Sequence, residues 1–217
     1  SLTKILVSVP LLLNEFMTNN FDLTTKLSEL FPDKELKNKK DLNVKQLFSH
    51  YSGMKSWIPF YKKTIDSVTN TRINKYYSNE KSIKFPFQVS DELYIRNYND
   101  TIFNEIINSE LSDSLSYIYS DLPYFLLKFY LEKKYQSSLD TQIKNYLFDK
   151  IGSTSLTYKP INFFNDKLIV PTAIDNYFRF DIVQGHVHDM GAAMMDGISG
   201  HAGLFGNSLD VAKICLL

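Results

Sequence analysis

The chain has 217 residues, 44% of them hydrophobic, and its 24 basic side chains balance 24 acidic ones. That much apolar surface offsets the entropy of ordering and excludes a disordered chain. Zero formal charge leaves no excess of cations for a general nucleic-acid or anionic-membrane binder. The basic residues are nearly all lysine, with only Arg72, Arg96 and Arg179 able to make forked phosphate contacts, and the single cysteine, Cys215, excludes an internal disulfide framework or a multi-cysteine metal site.

Residues 2 to 17 read as a helix whose apolar positions almost encircle it, which predicts deep burial, with a kink at Pro10. The run from Ile5 to Leu13 superficially resembles a signal peptide behind Lys4. However, Pro10 interrupts it, Asn14-Glu15-Phe16 offers no cleavage site, and it is far shorter than the ~20 residues that span a bilayer. No integral membrane segment is expected. A chain that opens on Ser1 without Met reads as processed or as an excerpt of something longer.

Phe21 to Pro32 predicts a short helical turn. Asn43 is the expected N-cap of a helix through Tyr51, stopped by Gly53. Lys55 to Asn99 is irregular, reads as a long insertion over a surface or cleft, and holds one candidate strand within Gln88 to Ile95. Asp100 is the expected cap of a helix to Leu111, and Ser116 to Tyr119 an extended stretch. Leu122 to Tyr135 is strongly helical, Ser138 opens a helix to Ile151 closed by Gly152, and Thr154 to Tyr158 predicts a strand. Six of the eight glycines fall between Gly185 and Gly206, which marks loops, and a last helix begins at Ser208. The balance is helix-rich, with strands too few and short for a complete sheet.

Four groups carry candidate chemistry. In Ser1-Leu2-Thr3-Lys4 a spacing of three puts hydroxyl and amine on one helical face. A partly desolvated lysine can take a serine's proton, and a helix N-terminus offers N–H groups to an oxyanion. Alone, the pattern is more often a capped helix start. In Tyr119-Ser120-Asp121 the phenol can aim into a cleft while Asp121 orients a substrate or a lysine; the bland alternative is a core tyrosine and a helix cap.

His186-Val187-His188-Asp189 with His201 lacks the converging ligand set of a zinc centre, so neither metal nor cofactor is expected. Glycines at 197, 200, 203 and 206 are no dinucleotide fingerprint and suit tight turns beside a cleft. The aromatic group Trp57, Phe60, Tyr61, Tyr76 and Tyr77, interleaved with lysines, reads as a cover packed over the core, with Trp57 a candidate for substrate contact.

In order along the chain, these segments resemble the serine β-lactamase and penicillin-binding-protein superfamily, on its class C and esterase-like branch. Ser1-Leu-Thr-Lys4 resembles the first motif, and Asn43-Val-Lys-Gln-Leu-Phe-Ser-His-Tyr-Ser-Gly53 the family's "LLTHTSGL" stretch. Tyr119-Ser-Asp121 stands where Y-x-N belongs. Gly200-His-Ala-Gly-Leu-Phe-Gly-Asn-Ser-Leu-Asp-Val-Ala-Lys213 resembles "GGLFSTAxDLAK". Trp57-Ile-Pro-Phe-Tyr-Lys-Lys63, Ile169-Val-Pro-Thr172 and Gly185-His-Val-His-Asp189 narrow the likeness to the β-lactamase-type domain fused to family-three glycoside hydrolases, the β-N-acetylglucosaminidases.

The resemblance implies an α+β, β-lactamase/transpeptidase-like fold. Residues 1–217 would form a single partial domain, mostly helical subdomain with an incomplete antiparallel sheet, its first strands and K-T-G or H-T-G strand lying outside the chain. It implies Ser1 as acyl-accepting nucleophile, Lys4 as proton acceptor and Tyr119 as second acid/base. Asp121 replaces a neutral amide; near Lys4 it would favour the ammonium and shift weight to Tyr119. His201 tempts as a third-motif residue, but Leu204 to Lys213 match the helical segment before that motif, which leaves His201 a candidate substrate contact.

The activity implied is serine hydrolysis of an amide or ester through an acyl-enzyme, on a peptidoglycan-derived peptide, a β-lactam or a small ester, at the periplasm, the cell surface or outside the cell. The alternative is a non-catalytic accessory module that positions a fused glycosidase, with the aromatic insertion carrying recognition. A third reading, an N-terminal-nucleophile hydrolase, needs a layered sheet sandwich that the helix-rich pattern lacks.

Overall fold

The computed structural model describes residues 1–113 and 116–217. Helices alternate with short strands: α1 (Val9–Met17), α2 (Leu27–Leu30), α3 (Val44–Phe48), β1 (Tyr77–Ser78), β2 (Phe87–Ser90), β3 (Leu93–Ile95), α4 (Asn99–Asn108), α5 (Leu122–Tyr135), α6 (Leu139–Ile143), β4 (Thr157–Tyr158), β5 (Pro171–Asp175), β6 (Asp181–Gln184), α7 (Met190–Ala193), β7 (Leu204–Phe205) and α8 (Ser208–Cys215). The strands pair antiparallel into three small sheets, in the orders β1-β3-β2, β4-β7 and β5-β6.

The centre of the molecule is α5. Its sequence is apolar on nearly all sides, so it must be surrounded, and Leu122 to Lys128 and Leu131 are all buried. Leu122, Phe125 and Leu126 pack into one core with Leu47, Phe60, Ile95, Ile102 and Ile106. Leu127 and Leu131 pack into a second core with Val7, Leu11, Ile143 and Tyr158. Lys128 is tolerated there because Glu132, one turn on, takes its ammonium at 2.6 Å.

The first helix differs from its sequence expectation in two ways. Its opening turn, Lys4–Ser8, is π-helical before α1 begins. Pro10 therefore falls at the handover between the two, where its missing N–H costs less than in a helix interior. Only one face is buried: Ile5, Leu13 and Met17 are at least half exposed, so the run does not mean encirclement by core. On the buried face Glu15 accepts from Lys134 Nζ (2.7 Å) and Tyr130 OH (3.3 Å), and also from Tyr135 OH, which pins α1 against the far end of α5.

Other expectations shift by a turn. Asn43 does cap α3, in a capping box with Gln46, but the helix ends at Phe48. Asp100 is not a cap; Tyr98 takes that position, Asn97 Oδ1 accepts from Asn99 N–H, and α4 stops at Asn108. The Ser138 helix runs as α6 and then a π turn to Phe148, with Gly152 at φ +60° behind it. The insertion expected as a cover instead supplies core: Phe60, Tyr61 and Tyr77 are buried, and β1, β2 and β3 form there. The β5–β6 hairpin is an element that the sequence pattern does not predict.

The loop from Ser199 to Leu204 is wedged between the first helix and α5. Ser8 Oγ donates to Gly200 O (2.7 Å), Tyr158 OH donates to Ser199 O (2.8 Å), and Leu204 N–H reaches Thr3 Oγ1 (3.3 Å). A Cβ at position 200 would stand 2.5 Å from the Tyr124 carbonyl oxygen and 2.7 Å from Ser8 Oγ. Only glycine fits there. Gly200→Ala is expected to lower stability by about 1–3 kcal/mol, the usual cost of overpacking, measured by urea unfolding.

Candidate active site

The N-terminal turn of the first helix opens into a cleft of about 360 Å³. Its walls include Ser1, Thr3 and Lys4 from that turn, Tyr119 and Asp121 from the corner before α5, Thr172 from β5, His188 and Asp189 before α7, and His201 to Phe205 from the wedged loop. Ser1, Lys4, Tyr119, Asp121 and His201 are therefore brought together from separate stretches of chain. Trp57 is not among the lining residues. It is partly exposed and packs toward Tyr61, with ring centroids 6.4 Å apart.

Lys4 is the pivot. It is 4% exposed, and its ammonium lies 2.5 Å from Asp121 Oδ1. It also sits over the ring of Tyr119, 4.9 Å from the centroid, and 5.3 Å from that of Tyr124. A carboxylate and two electron-rich ring faces thus hold the cation after its water is removed. Ser1 Oγ stands at the helix mouth, accepting from Thr3 N–H (3.2 Å) and donating to Thr3 Oγ1 (3.1 Å). In this geometry the serine is tied to its own turn rather than to the lysine.

The Tyr119–Asp121 corner is fixed by the loop that continues from α3. Ile118 N–H donates to His50 O (2.9 Å), Ser120 N–H to His50 Nδ1 (3.1 Å), Ser120 Oγ to Lys55 O (2.7 Å) and Asp121 N–H to Ser56 O (3.0 Å). The His50 ring lies against the Tyr119 ring at 4.6 Å. His50 itself adopts φ +63°, which aims its ring back at the corner. Burial, and then the nearby Lys4 ammonium, hold His50 below the usual imidazole value. A neutral ring is what the Ser120 N–H requires as acceptor.

The opposite wall carries a second carboxylate, Asp189, which is not among the site residues expected from sequence and stands there only in a weak metal pattern and in the Gly185–Asp189 stretch of the family resemblance. Asp189 Oδ1 accepts from Ala192 N–H (2.7 Å) and lies 2.9 Å from His201 Nε2, while His201 Nδ1 meets Ser199 Oγ at 2.9 Å. His201 is almost fully buried and stacks on Phe125 at 4.2 Å. Burial alone would push Asp189 up, but His201, the Ala192 N–H and Arg179 more than offset it and bring it to about 2. Asp175 and Arg179 form a fully buried pair at 2.6 Å. The Arg179 guanidinium donates to Val187 O and His188 O (both 2.6 Å), which sets the approach to Asp189.

Asp121, Asp189 and His201 bring one ligand atom each within 4.8 Å of one another. Asp121 and Asp189 already have cationic or N–H partners, and among the described residues His186 and His188 do not join this group. No helix among the described residues is long and apolar enough to cross a membrane.

Because His50 titrates lower when folded, its contribution to stability is complete above the ordinary imidazole value. It is lost as pH falls through about 6.5 toward the lowered folded value. His50→Gln, which keeps an acceptor without titrating, is expected to flatten that part of the curve of unfolding free energy against pH.

No protein-family model matches the chain. The N-acetylmuramyl-L-alanine amidase of Bacillus subtilis (strain 168) is 28% identical over 193 residues, which cover 83% of this chain and 38% of that protein. The chain thus spans well under half the length of this relative. Among solved structures, the octameric penicillin-binding protein homologue from Pyrococcus abyssi superposes with a TM-score of 0.62 at 17% identity, covering 99% of this chain and 42% of the other. The D-amino acid amidase from Ochrobactrum anthropi SV3 also gives 0.62, at 12% identity, over 99% and 52%. The chain has the mixed helix-and-sheet fold of the β-lactamases and transpeptidases.

Proposed function

We propose that the cleft is the active site of a serine hydrolase that passes through an acyl-enzyme on an amide or ester. The observation that carries this reading is the buried Lys4 ammonium, clamped between Asp121 and the Tyr119 ring in the cleft that Ser1 also lines. In the step proposed, Ser1 Oγ forms a bond to the substrate carbonyl carbon and gives up its proton. The C–N or C–O bond then breaks, and the departing amine or alcohol receives that proton. Water later cleaves the Ser1 ester and restores the hydroxyl.

Tyr119 is proposed as the group that carries the proton. Lys4, ion-paired to Asp121 at 2.5 Å, is proposed to stabilise negative charge on the phenol and on the reacting oxygen. The N–H groups of the first turn are the donors proposed for the oxyanion. The substrate class proposed is a peptidoglycan-derived peptide, encountered in the periplasm or at the cell surface. The similarity to a Bacillus subtilis protein named as an N-acetylmuramyl-L-alanine amidase supports that choice, as does the resemblance to domains fused to family-three glycosidases. For the accessory-module reading, Phe60, Tyr61 and Tyr77 are buried in the core, which leaves exposed Trp57 and half-buried Tyr76 of that aromatic group to meet a ligand.

Labelling with a fluorescent phosphonate is expected to disappear in Ser1→Ala, and labelling that survives would remove Ser1 from its role. Asp121→Asn removes the ion pair that positions Lys4, so kcat/KM is expected to fall by about tenfold or more, and an unchanged kcat/KM would count against the role given to Lys4.

A further inference from the structure

Beside the cleft lies a second cavity, of about 340 Å³, and two stretches of chain run from one to the other. On the wedged loop, His201 to Phe205 line the cleft while Phe205, Gly206 and Asn207 line the cavity, so Phe205 borders both. On the other side Thr172 of β5 lines the cleft, and Leu168, Ile169 and Val170 just ahead of it line the cavity. Pro160 and Phe164 complete its apolar walls.

The chemistry of this cavity is unlike that of the cleft. Among the described residues no lysine, arginine, histidine or carboxylate lines it. Its two polar side chains are turned to the start of α8. Ser155 Oγ donates to Asp210 Oδ2 (2.7 Å) and accepts from Asn207 N–H (3.0 Å), while Asn207 Oδ1 accepts from Asp210 N–H (2.9 Å). The wall ahead of β5 is fixed in place. Gln184 Nε2 donates to Asp166 O (2.9 Å) and Ile169 O (2.6 Å), and Gly185 makes room for Ile161, whose Cγ2 would stand 1.9 Å from a Cβ there. Yet Leu168 and Val170 on this wall are 76% and 81% exposed.

We infer that this cavity is an apolar subsite of the cleft, and that it receives an uncharged hydrocarbon group carried by the substrate whose carbonyl meets Ser1. The inference rests on the hydrolase reading in taking the cleft as the substrate site. A charged group entering the cavity would lose water and find no counter-charge, whereas a hydrocarbon group would take the exposed Leu168 and Val170 surfaces out of water. The volume suits a small-molecule pocket, and a wall already held by Gln184 needs little ordering when a ligand arrives. The chemical class is an amide or ester with an aliphatic or aromatic arm, such as an apolar side chain of a peptide.

Two measurements test this. Methyl acetate, methyl hexanoate and hexyl acetate carry a long chain on neither side, on the acyl side and on the alcohol side of the ester. One of the two longer esters is expected to exceed methyl acetate in kcat/KM by about tenfold or more. The ratio of longer to shorter ester should fall several-fold in Leu168→Asp and in Val170→Asp, which sit at exposed positions and leave the core untouched. Equal turnover of all three esters, or a ratio unmoved by both substitutions, overturns the inference. The second measurement needs no turnover. The neutral naphthyl ketone dye Prodan, whose emission shifts to the blue in apolar surroundings, is expected to bind the protein and Ser1→Ala alike, and several-fold more weakly in Leu168→Asp. Dye binding indifferent to both aspartate substitutions also overturns the inference. Absence of ester turnover and of phosphonate labelling, with Leu168-dependent dye binding intact, would remove the hydrolase reading and leave the apolar site standing.

Discussion

The ion pair between Lys4 and Asp121 joins the two parts of the molecule on which the cleft depends. Lys4 begins the first helix, and Asp121 ends the corner that launches α5, whose residues from Leu122 to Lys128 are all buried. Every other feature of the site is referred to one of these anchors. The wedged loop is bonded to Ser8 and Thr3 on one side and crowds the Tyr124 carbonyl on the other. The loop after α3 braces the Asp121 corner through His50 and Ser56. Two charges buried at this depth are stable only together, so the pair also fixes the register between helix and corner.

That arrangement divides roles by burial. Ser1 and Tyr119 are exposed at the cleft, whereas Lys4 and His201 are nearly closed off behind them. The exposed groups are those that must meet a substrate, and the closed ones supply charge and position. A dry setting strengthens what Lys4 can offer to developing negative charge, because no water competes for the ammonium.

Much of this is legible in the residues. The capping box of Asn43 and Gln46, the largely apolar α5 and the S-x-x-K turn each arise from local rules of helix formation. Ser1, Lys4, Tyr119 and Asp121 stand out because residue type and order point to one chemistry. What the residues hide is long-range. Nothing local in Gly185 to Asp189 shows that Asp189 faces Asp121 from the opposite wall, since that depends on Arg179 and on the His201 stack. The aromatic run from Trp57 to Tyr77 looks like a surface cover because lysines punctuate it, yet strand pairing turns Tyr77 inward. The β5–β6 hairpin escapes sequence reading because exposed Ile174 and Ile182 face each other on an open side, which breaks the alternation that marks a half-buried strand.

The π-helical opening of the first helix has a consequence for the register of the chain. A wide turn holds one residue more than the α-helix it interrupts, so it acts as a phase shifter of about 100° between the segments on either side of it. Upstream, Ser1 and Lys4 look into the cleft; downstream, Leu11, Leu12 and Glu15 look into the core. Removing a single residue between Lys4 and Val9 would relax the turn to ordinary pitch and leave the two faces out of step. The nucleophile end or the greasy end could be seated, but not both.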